Sequence, residues 1–337
     1  MLKPLIIKLT ERKDLTREEM RSAMETIMSG DVNPAQTAAF LIALKIKGET
    51  AAEITAASLV MKEKATKVRV KGDVIFDSCG TGGDGHGTIN VSTSAAVILA
   101  AAGVTVAKHG NRSITSMSGS ADVLRELGAS VELPPEKVEA CIEKCGLGFI
   151  FAPGYHPAMK HVMPVRKELG VRTIFNLLGP IVNPANHTHH LMGVFSESLV
   201  GTIAEVLRDT GLKRAAVVCG HGGLDELSLS GATSCAELKD GAITRSVITP
   251  EDCGLKRAPI EAVRGGSAAD NARHIKELFS GDEKGPKRDI ILLNAGYALY
   301  IAEKAATPAE GVKLAAETVD SGAAAKKLDE FIKASNI

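Results

Sequence analysis

The chain has 337 residues, a length typical of two domains. Its 40 Lys and Arg residues balance its 40 Asp and Glu residues, so the molecule has no net charge that would attract nucleic acid or an anionic membrane. Aromatic residues make up 3% of the chain, too few for base stacking on single-stranded nucleic acid, and the 45% of hydrophobic residues exclude a disordered chain.

The first seventy residues predict three helices of one design, each opened by a polar N-cap whose partner stands three residues later. The pairs are Thr16 and Glu19, Asn33 and Gln36, and Thr50 and Glu53. Pro34 suits the first position of the second helix, and Gly30 and Gly48 are typical helix ends.

An apolar stripe runs along the first of these helices. Met20, Ala23, Met24, Ile27 and Met28 recur at the spacing of one helix face. Such a face packs either into the core of the same chain or against a second copy of it. The residues alone leave both interpretations open.

From Val74 onward, short β-branched segments alternate with helical ones, which is typical of a mostly parallel sheet covered by helices. Strands are predicted over 74–76, 104–107, 148–151, 190–195 and 215–219, and helices over 92–102, 120–127, 135–144 and 198–209. The alternation fails at 155–180, where the sequence predicts helices that pack on the N-terminal helices rather than on the sheet. Short strands are predicted in 232–250 around Asp240 and Gly241, and a largely helical tail over 306–335.

A glycine-rich loop, GTGGDGHG at 80–87, follows the first predicted strand. Such a loop brings backbone N–H groups close to a phosphate without interference from Cβ atoms. The string also matches the dinucleotide-binding pattern G-x-G-x-x-G, but that pattern requires an acid at the end of the next strand, where this chain has Lys108. The mismatch argues against a dinucleotide.

The segment after this loop contains no acidic residue between Asp84 and Asp122. It holds two cations, two histidines and a run of hydroxyl side chains: Lys108, Arg112, His86, His109, Ser113, Thr115, Ser116, Ser118 and Ser120. Fixed cations with many hydroxyl and amide groups suit a ligand with several phosphate oxygens. A simple tight turn is the alternative for the glycines alone, and the combination of features favours the polyphosphate site.

Two adjacent acids, Asp225 and Glu226, follow a predicted strand and a Gly-Gly turn in HGGLDELSLSG. Mg²⁺ takes one or two protein carboxylates and fills its other positions with water and substrate phosphate. Taken alone, such a pair is more typical of a solvated surface. The polyphosphate site elsewhere in the chain favours the metal interpretation.

The six cysteines include no C-x-x-C pair and are typical of small buried side chains in a reducing compartment. The N-terminus lacks the pattern of a signal peptide. From both observations we expect a cytoplasmic protein. Cys79, next to the glycine loop, is interpreted as a packed small residue rather than a nucleophile, because no base is evident near it. His187, His189 and His190 are expected at the surface of a strand entry rather than around zinc, because no fourth ligand is evident.

Five motifs together resemble the anthranilate phosphoribosyltransferase family. They are GTGGDG at 80–85, NVST at 90–93, KHGNRSITSMSGSAD at 108–122, YHPAMKHVMPVRKELGVRTIFNLLGPIVNP at 155–184 and GLDELS at 223–228. The first three are also similar to the related pyrimidine nucleoside phosphorylases, whereas FNLLGPIVNP and the Asp-Glu pair are those of the tryptophan-pathway enzymes. The resemblance covers the chain from about 73 to 235.

The resemblance implies an α/β fold with a mostly parallel central sheet, of the nucleoside phosphorylase and phosphoribosyltransferase type, in two domains. A small helical domain would comprise residues 1–72 and the insert at about 155–180, and a larger α/β domain would comprise 73–154 and 181–337. The resemblance also implies a homodimer through the helical domains, which would use the methionine-rich stripe.

The implied activity transfers the phosphoribosyl group of 5-phosphoribosyl 1-pyrophosphate (PRPP) to the amine of anthranilate, the second step of tryptophan biosynthesis from chorismate. The residues implied to hold PRPP are Gly80, Gly83, Asp84, Thr88, Asn90, Val91, Ser92, Thr93, Lys108, His109, Gly110, Asn111, Arg112, Ser113, Ile114, Thr115, Ser116 and Ser120. Those implied to hold Mg²⁺, at two ions per monomer, are Ser92, Asp225 and Glu226, and those for anthranilate are Gly80, Asn111 and Arg166. No covalent nucleophile is expected, and Lys108 and Arg112 would stabilise the departing pyrophosphate by their charge.

Two alternatives stay open. A pyrimidine nucleoside phosphorylase would cleave a base from ribose with inorganic phosphate and would need no Mg²⁺ clamp. A non-catalytic relative that binds nucleic acid is disfavoured by the balanced charge and the few aromatic residues. We therefore expect neither nucleic acid nor membrane as a partner, and the sequence does not indicate whether an anthranilate synthase subunit associates with the chain.

Overall fold

The computed structural model describes residues 2–113 and 117–337. It begins with four helices, α1 (Lys3–Thr10), α2 (Arg17–Ser29), α3 (Pro34–Lys47) and α4 (Ala51–Lys64). Thr16 and Thr50 each form the predicted capping box with the Glu three residues on, and Oδ1 of Asn33 accepts a hydrogen bond of 2.9 Å from the Gln36 N–H. Gly30, with φ 84°, ends α2 in the left-handed conformation. The three predicted helix starts are confirmed, because each cap satisfies a backbone donor that the helix leaves free.

The apolar stripe of α2 lies inside the chain rather than at an interface. Met20 and Met24 are 0% exposed, and Met28 is 3% exposed. The stripe packs in an apolar cluster with side chains from α3, α4 and the insert that follows the third strand. The prediction that a homodimer would use this stripe is therefore wrong, because the chain itself already covers these side chains.

Seven strands of the described residues form one sheet. They are β1 (Ile75–Gly80), β2 (Thr105–Gly110), β3 (Leu147–Phe151), β4 (His189–Gly193), β5 (Arg214–Cys219), β6 (Thr233–Lys239) and β7 (Ala242–Ile248). Their order is β3-β2-β1-β4-β5-β6-β7, with parallel pairing from β3 to β5 and antiparallel pairing of β6 and β7. The predicted mostly parallel α/β fold is confirmed. The first strand runs to Gly80 instead of ending at 76, because Asp77 and Ser78 are polar yet buried within it.

Helices cover both faces of the sheet. The remaining helices are α5 (Val91–Ala101), α6 (Ser120–Glu126), α7 (Pro135–Cys145), α8 (Ala152–Tyr155), α9 (Met163–Leu169), α10 (Phe175–Ile181), α11 (Leu199–Asp209), α12 (Ala268–Ser280), α13 (Pro286–Ile301), α14 (Pro308–Asp320) and α15 (Ala323–Ser335). On β5, Ala216 and Val218 join the apolar cluster of α5 and α13, while Ala215 and Val217 join the cluster of α11 and the N-terminal helices. Successive side chains of a strand point to opposite faces, so these two clusters lie on the two sides of the sheet.

The insert after β3 packs on the N-terminal helices, as the sequence predicts. A short 3₁₀ helix over Pro157–His161 contacts α2, α9 contacts α3, and α10 contacts α4. The domain boundaries themselves stay a prediction. Within the described part of the chain, none of the helices combines the length and the apolar character that are needed to cross a lipid bilayer.

Candidate active site

The segments singled out in the sequence meet at one edge of the sheet. The glycine-rich loop leaves the carboxyl end of β1, the KHGNR segment covers the end of β2, and the Asp-Glu pair follows β5. The chain adds strands in one direction from β1 to β3 and in the other from β4 to β5, so the order reverses between β1 and β4. Ligands of open α/β sheets bind at the carboxyl ends of the strands near such a reversal.

Two adjoining clefts lie at this edge, with volumes of about 260 and 380 Å³. Their shared lining includes Gly82, Gly83, Asn90, Ser92, Asp225 and Glu226. Every predicted PRPP residue that the structure describes lines one cleft or the other, as does Arg166. Ile114, Thr115 and Ser116 lie outside the described residues. The structure thus brings the predicted residues together, while their individual roles stay predictions.

Two glycines let the Asp-Glu pair approach the sheet. A Cβ atom on Gly80 would collide with Oδ2 of Asp225, and one on Gly193 would collide with the carbonyl oxygen of Asp225. Both separations would be far below van der Waals contact, so any larger residue at either position would displace the acid. The carboxylate is held by the glycine loop in turn, because the Gly82 N–H donates a hydrogen bond of 2.6 Å to Oδ2 of Asp225.

Lys108 lies beneath the clefts and is 2% exposed. Its Nζ donates hydrogen bonds to the carbonyl oxygen of Ser78 and, at 3.3 Å, to Oγ of Ser92. The Ser92 N–H at the start of α5 donates in turn to Oε1 of Glu226 at 3.2 Å. These contacts fix a positive charge beside the carboxylate pair, as a site that binds an anion together with a cation requires.

The acids at the site repel one another. Burial raises the pKa of both Asp225 and Glu226, and the negative charges of Asp84 and Asp225, respectively, raise them further. Oδ2 of Asp84 is buried and accepts no hydrogen bond. Clustered, buried oxygen donors whose negative charges repel one another suit a hard divalent cation, and the residues present therefore fit Mg²⁺.

Arg112 lines the larger cleft and forms an ion pair there. Its Nη2 lies 2.7 Å from Oε1 of Glu132, and its guanidinium carbon lies 5.5 Å from the ring centroid of Phe151. Both partners of the ion pair are about half exposed, and such pairs contribute little free energy. Arg112 can therefore leave Glu132 for a stronger anion at small cost, although Lys108 is the better placed cation.

Arg166 lies on α9 at the wall of the larger cleft. Its guanidinium carbon is 5.7 Å from the ring centroid of Phe175, and its Nη1 contacts Sδ of Met163 at 3.8 Å. Among the described residues no carboxylate forms an ion pair with it. Burial lowers the pKa of Arg166. A half-buried guanidinium without an acidic partner is suited to a carboxylate that arrives with a ligand.

Known proteins share both the sequence and this architecture. Residues 72–325 match the glycosyl transferase family, a/b domain, and residues 3–65 match the glycosyl transferase family, helical bundle domain. The anthranilate phosphoribosyltransferase of Petrotoga mobilis is 51% identical over 329 residues, which are 98% of this chain and 95% of that protein. The chain belongs to the anthranilate phosphoribosyltransferases of this glycosyl transferase family.

Solved structures of the family superimpose over nearly the whole chain. The anthranilate phosphoribosyltransferase from Thermus thermophilus has a TM-score of 0.93 at 45% identity, covering 98% of this chain and 99% of that one. The enzyme from Saccharomyces cerevisiae in complex with PRPP and Mg has a TM-score of 0.89 at 29% identity, covering 99% of this chain and 98% of that one. The yeast enzyme in complex with 4-fluoroanthranilate has a TM-score of 0.88 at 27% identity, with the same two coverages.

Arg172 was missed by the sequence analysis. Its Nη2 donates a hydrogen bond to the carbonyl oxygen of Gly83, and its guanidinium carbon lies 4.0 Å from the ring centroid of Phe195. It therefore ties the insert to the glycine loop at the larger cleft. A signal was present, because residues 169–196 contain no acid, just as the segment after the glycine loop contains none.

The expectation of surface histidines at the entry to β4 is wrong. His187 and His189 are 4% exposed and His190 is 0% exposed. His190 is buried because it lies on β4, the middle strand of the sheet, directly beside Asp77 of β1, a pairing that the local sequence does not reveal. Cys79 lines the larger cleft and is partly exposed as a residue, but burial of its thiol, and then the negative charge of Asp77, raises the pKa of the thiol, which agrees with its interpretation as a residue that is not a nucleophile.

Proposed function

We propose that this chain transfers the phosphoribosyl group of PRPP to the amine of anthranilate and releases pyrophosphate, in the synthesis of tryptophan. The observation that carries the proposal is the adjoining pair of clefts at the β1–β4 reversal, the larger of which is lined by a buried lysine, a carboxylate pair and Arg166. The full-length similarity to anthranilate phosphoribosyltransferases supports it.

In this proposal the glycine loop and the segment around Lys108 bind PRPP, and Gly80, Asn111 and Arg166 bind anthranilate. Ser92, Asp225 and Glu226 would hold Mg²⁺, at two ions per monomer. The yeast relative in complex with PRPP and Mg supports this assignment, and so do the buried carboxylates, whose negative charges repel one another. When bound, Mg²⁺ supplies positive charge that favours the departure of pyrophosphate.

The residues of the chain would act by position and charge. The amine of anthranilate is a neutral nucleophile at pH 7, so no strong base is needed to activate it. Its nitrogen would bond to C1 of the ribose, with inversion, as the bond from C1 to the pyrophosphate oxygen breaks, and the proton released by the nitrogen would pass to the pyrophosphate or to solvent. Lys108, fixed by Ser78 and Ser92, would neutralise the leaving pyrophosphate. Arg166 would hold the anthranilate carboxylate so that the amine faces C1, which lowers the entropic part of the barrier.

We also propose a homodimer that forms through a different face of the helical domain from the one first expected. Ile7 on α1 and Ile46 on α3 are 52% and 66% exposed, and these two helices pack on each other. A charged residue at either position should shift the protein toward the monomer in sedimentation velocity, whereas the matched control Leu59→Glu on α4 should not.

We infer a cytoplasmic location from the six free cysteines.

The activity is tested with the purified full chain. Mixing it with anthranilate, PRPP and Mg²⁺ should remove the fluorescence of anthranilate and release one pyrophosphate per anthranilate consumed. Excess chelator should stop the reaction. Undiminished turnover in chelator, or phosphorolysis of uridine or thymidine as the main activity, would overturn the proposal and favour a nucleoside phosphorylase.

A further inference from the structure

A cluster of three metal-binding side chains lies next to the clefts but is used by none of the roles above. It consists of Asp77 and Cys79 on β1 and His190 on β4, and one ligand atom from each lies within 4.8 Å of the others. Asp77 and His190 are register partners across the parallel pair, and Cys79 is two residues further along the same face. The sheet itself, rather than a flexible loop, holds the three groups together.

The spacing of the three atoms fits a metal ion. Sγ of Cys79 lies 3.4 Å from Nε2 of His190 and 3.7 Å from Oδ2 of Asp77. Zinc bonds of about 2.3 Å to sulfur and about 2.0 Å to nitrogen or oxygen, at tetrahedral angles, place neighbouring ligand atoms about 3.5 Å apart. The two separations from Sγ lie within about 0.2 Å of that value, and all three ligand atoms lie within 4.8 Å of one another.

Two of the three ligands, His190 and Asp77, are also oriented by further partners. Nδ1 of His190 lies 3.0 Å from Nε2 of His187, and Oδ2 of Asp77 accepts a hydrogen bond of 2.8 Å from Nδ2 of Asn183. Oδ1 of Asp77 accepts another from the His109 N–H at 3.1 Å. Outer contacts of this kind fix the ring and carboxylate orientations in protein metal sites.

We propose that Asp77, Cys79 and His190 form a binding site for one borderline-soft divalent cation such as Zn²⁺, separate from the oxygen ligands assigned to Mg²⁺. Three protein ligands leave a fourth position open, and Cys79 lines the larger cleft, through which an ion and a water molecule can reach it. A thiolate and an imidazole favour Zn²⁺ or Co²⁺ over Mg²⁺, which prefers oxygen donors.

The charge of a divalent ion and its three ligands sums to zero only when the thiol loses its proton. Lys108, whose Nζ donates to the carbonyl oxygen of Ser78, lies outside this ligand set and adds one positive charge beside it. The Asp77 carboxylate and the Cys79 thiolate together supply two negative charges for the ion. On binding, the S–H bond of Cys79 breaks, the proton passes to solvent, and the sulfur lone pair forms the bond to the metal, with no change of oxidation state.

Co²⁺ is the probe, because a cobalt–thiolate bond gives a charge-transfer absorption that reports the sulfur ligand directly. The full chain, stripped of metal and kept reduced, should bind one Co²⁺ per chain with this absorption, and one equivalent of Zn²⁺ should abolish it. Excess Mg²⁺ should leave it unchanged. Cys79→Ser should lose the absorption, and His187→Asn should weaken binding by about 10- to 100-fold, the usual cost of losing an outer partner.

Two matched controls separate the site from other side chains. His189→Asn changes the neighbouring histidine on the opposite face of β4, and Cys141→Ser changes a buried cysteine on α7; both should bind Co²⁺ like the unaltered chain. Absence of the absorption in the unaltered chain, or its persistence in Cys79→Ser, would overturn the proposal. Because the readout is metal binding, its failure in a chain that turns over anthranilate leaves the proposed function intact.

Discussion

The Gly82 N–H donates a hydrogen bond of 2.6 Å to Oδ2 of Asp225, so the glycine loop and the acidic pair form one unit. The carboxylate also lies against Gly80, where even a Cβ atom would collide with it. Because loop and acids are in contact, a change in the charge of the acids should also affect the part of the loop that we propose to bind PRPP.

Replacing the acids tests their assignment as Mg²⁺ ligands. The double variant Asp225→Asn and Glu226→Gln keeps the shape of both side chains and removes their charge. We expect the fold to persist and the Mg²⁺ concentration needed for half-maximal rate to rise by about tenfold or more, since loss of even an outer contact typically weakens a metal site by that factor. The measurement is rate against Mg²⁺ at saturating PRPP. Asp240→Asn in the β6–β7 turn is the control, and superimposable curves for the double variant would make these residues structural acids.

Arg166 is expected to bind the carboxylate of anthranilate. A charge-assisted pair of this kind contributes about 1.5 to 3 kcal/mol, or roughly ten- to a hundredfold in affinity. Arg166→Ala should raise the Michaelis constant for anthranilate by about that factor and leave that for PRPP nearly unchanged. The exposed neighbour Lys167→Ala is a matched control. Equal weakening of both substrates would contradict the assignment and indicate a damaged cleft.

Arg172 is expected to position the glycine loop rather than to touch the substrate. Arg172→Ala removes the hydrogen bond to the Gly83 carbonyl oxygen, and a bond of about 1 kcal/mol predicts a three- to tenfold rise in the Michaelis constant for PRPP. Arg172→Lys keeps the charge but not the planar group that stacks on Phe195, so it should recover part of the loss. A rise confined to anthranilate would assign Arg172 to the other substrate instead.

The sequence predicted best where the cause of the structure is local. The N-caps at Thr16, Asn33 and Thr50 act over three residues, and all three are found. The predicted alternation of strands and helices is confirmed, because each element has its own apolar face. The prediction that the insert packs on the N-terminal helices holds for the same reason, since an unpaired apolar helix needs a partner.

The predictions that failed concern contacts between residues that are distant along the chain. The burial of His190 follows from the place of β4 in the middle of the sheet, and the Met20–Met28 stripe packs against the same chain rather than against a second copy. The acid-free segment 169–196 draws attention to Arg172, but its partner, the carbonyl oxygen of Gly83, lies 89 residues earlier in the chain. The topology of the sheet sets such pairings, and the spacing of apolar residues along the sequence does not reveal them.

The last prediction concerns stability below neutral pH. His156 is 6% exposed, its Nε2 lies 3.2 Å from Nε2 of His109, and its Nδ1 has no hydrogen-bond partner in the described structure. Burial, and then the charge of Lys67, lowers the pKa of His156 to about 4 from an ordinary value near 6.5. Between pH 6.5 and about 4, His156 is therefore protonated in the unfolded chain but still neutral in the folded chain. The free energy of unfolding should fall as the pH is lowered through this range.

One such group costs up to about 1.4 kcal/mol per pH unit over the window from about 6.5 to about 4. His156→Gln keeps a polar group near the position of Nε2 but does not titrate, so its free energy of unfolding should fall less steeply than that of the unaltered chain. Urea denaturation at a series of pH values measures both slopes. The exposed His161→Gln, five residues away, is the control and should follow the unaltered chain. Parallel slopes for His156→Gln and the unaltered chain would mean that His156 takes up its proton equally in the folded and unfolded states, contrary to its burial.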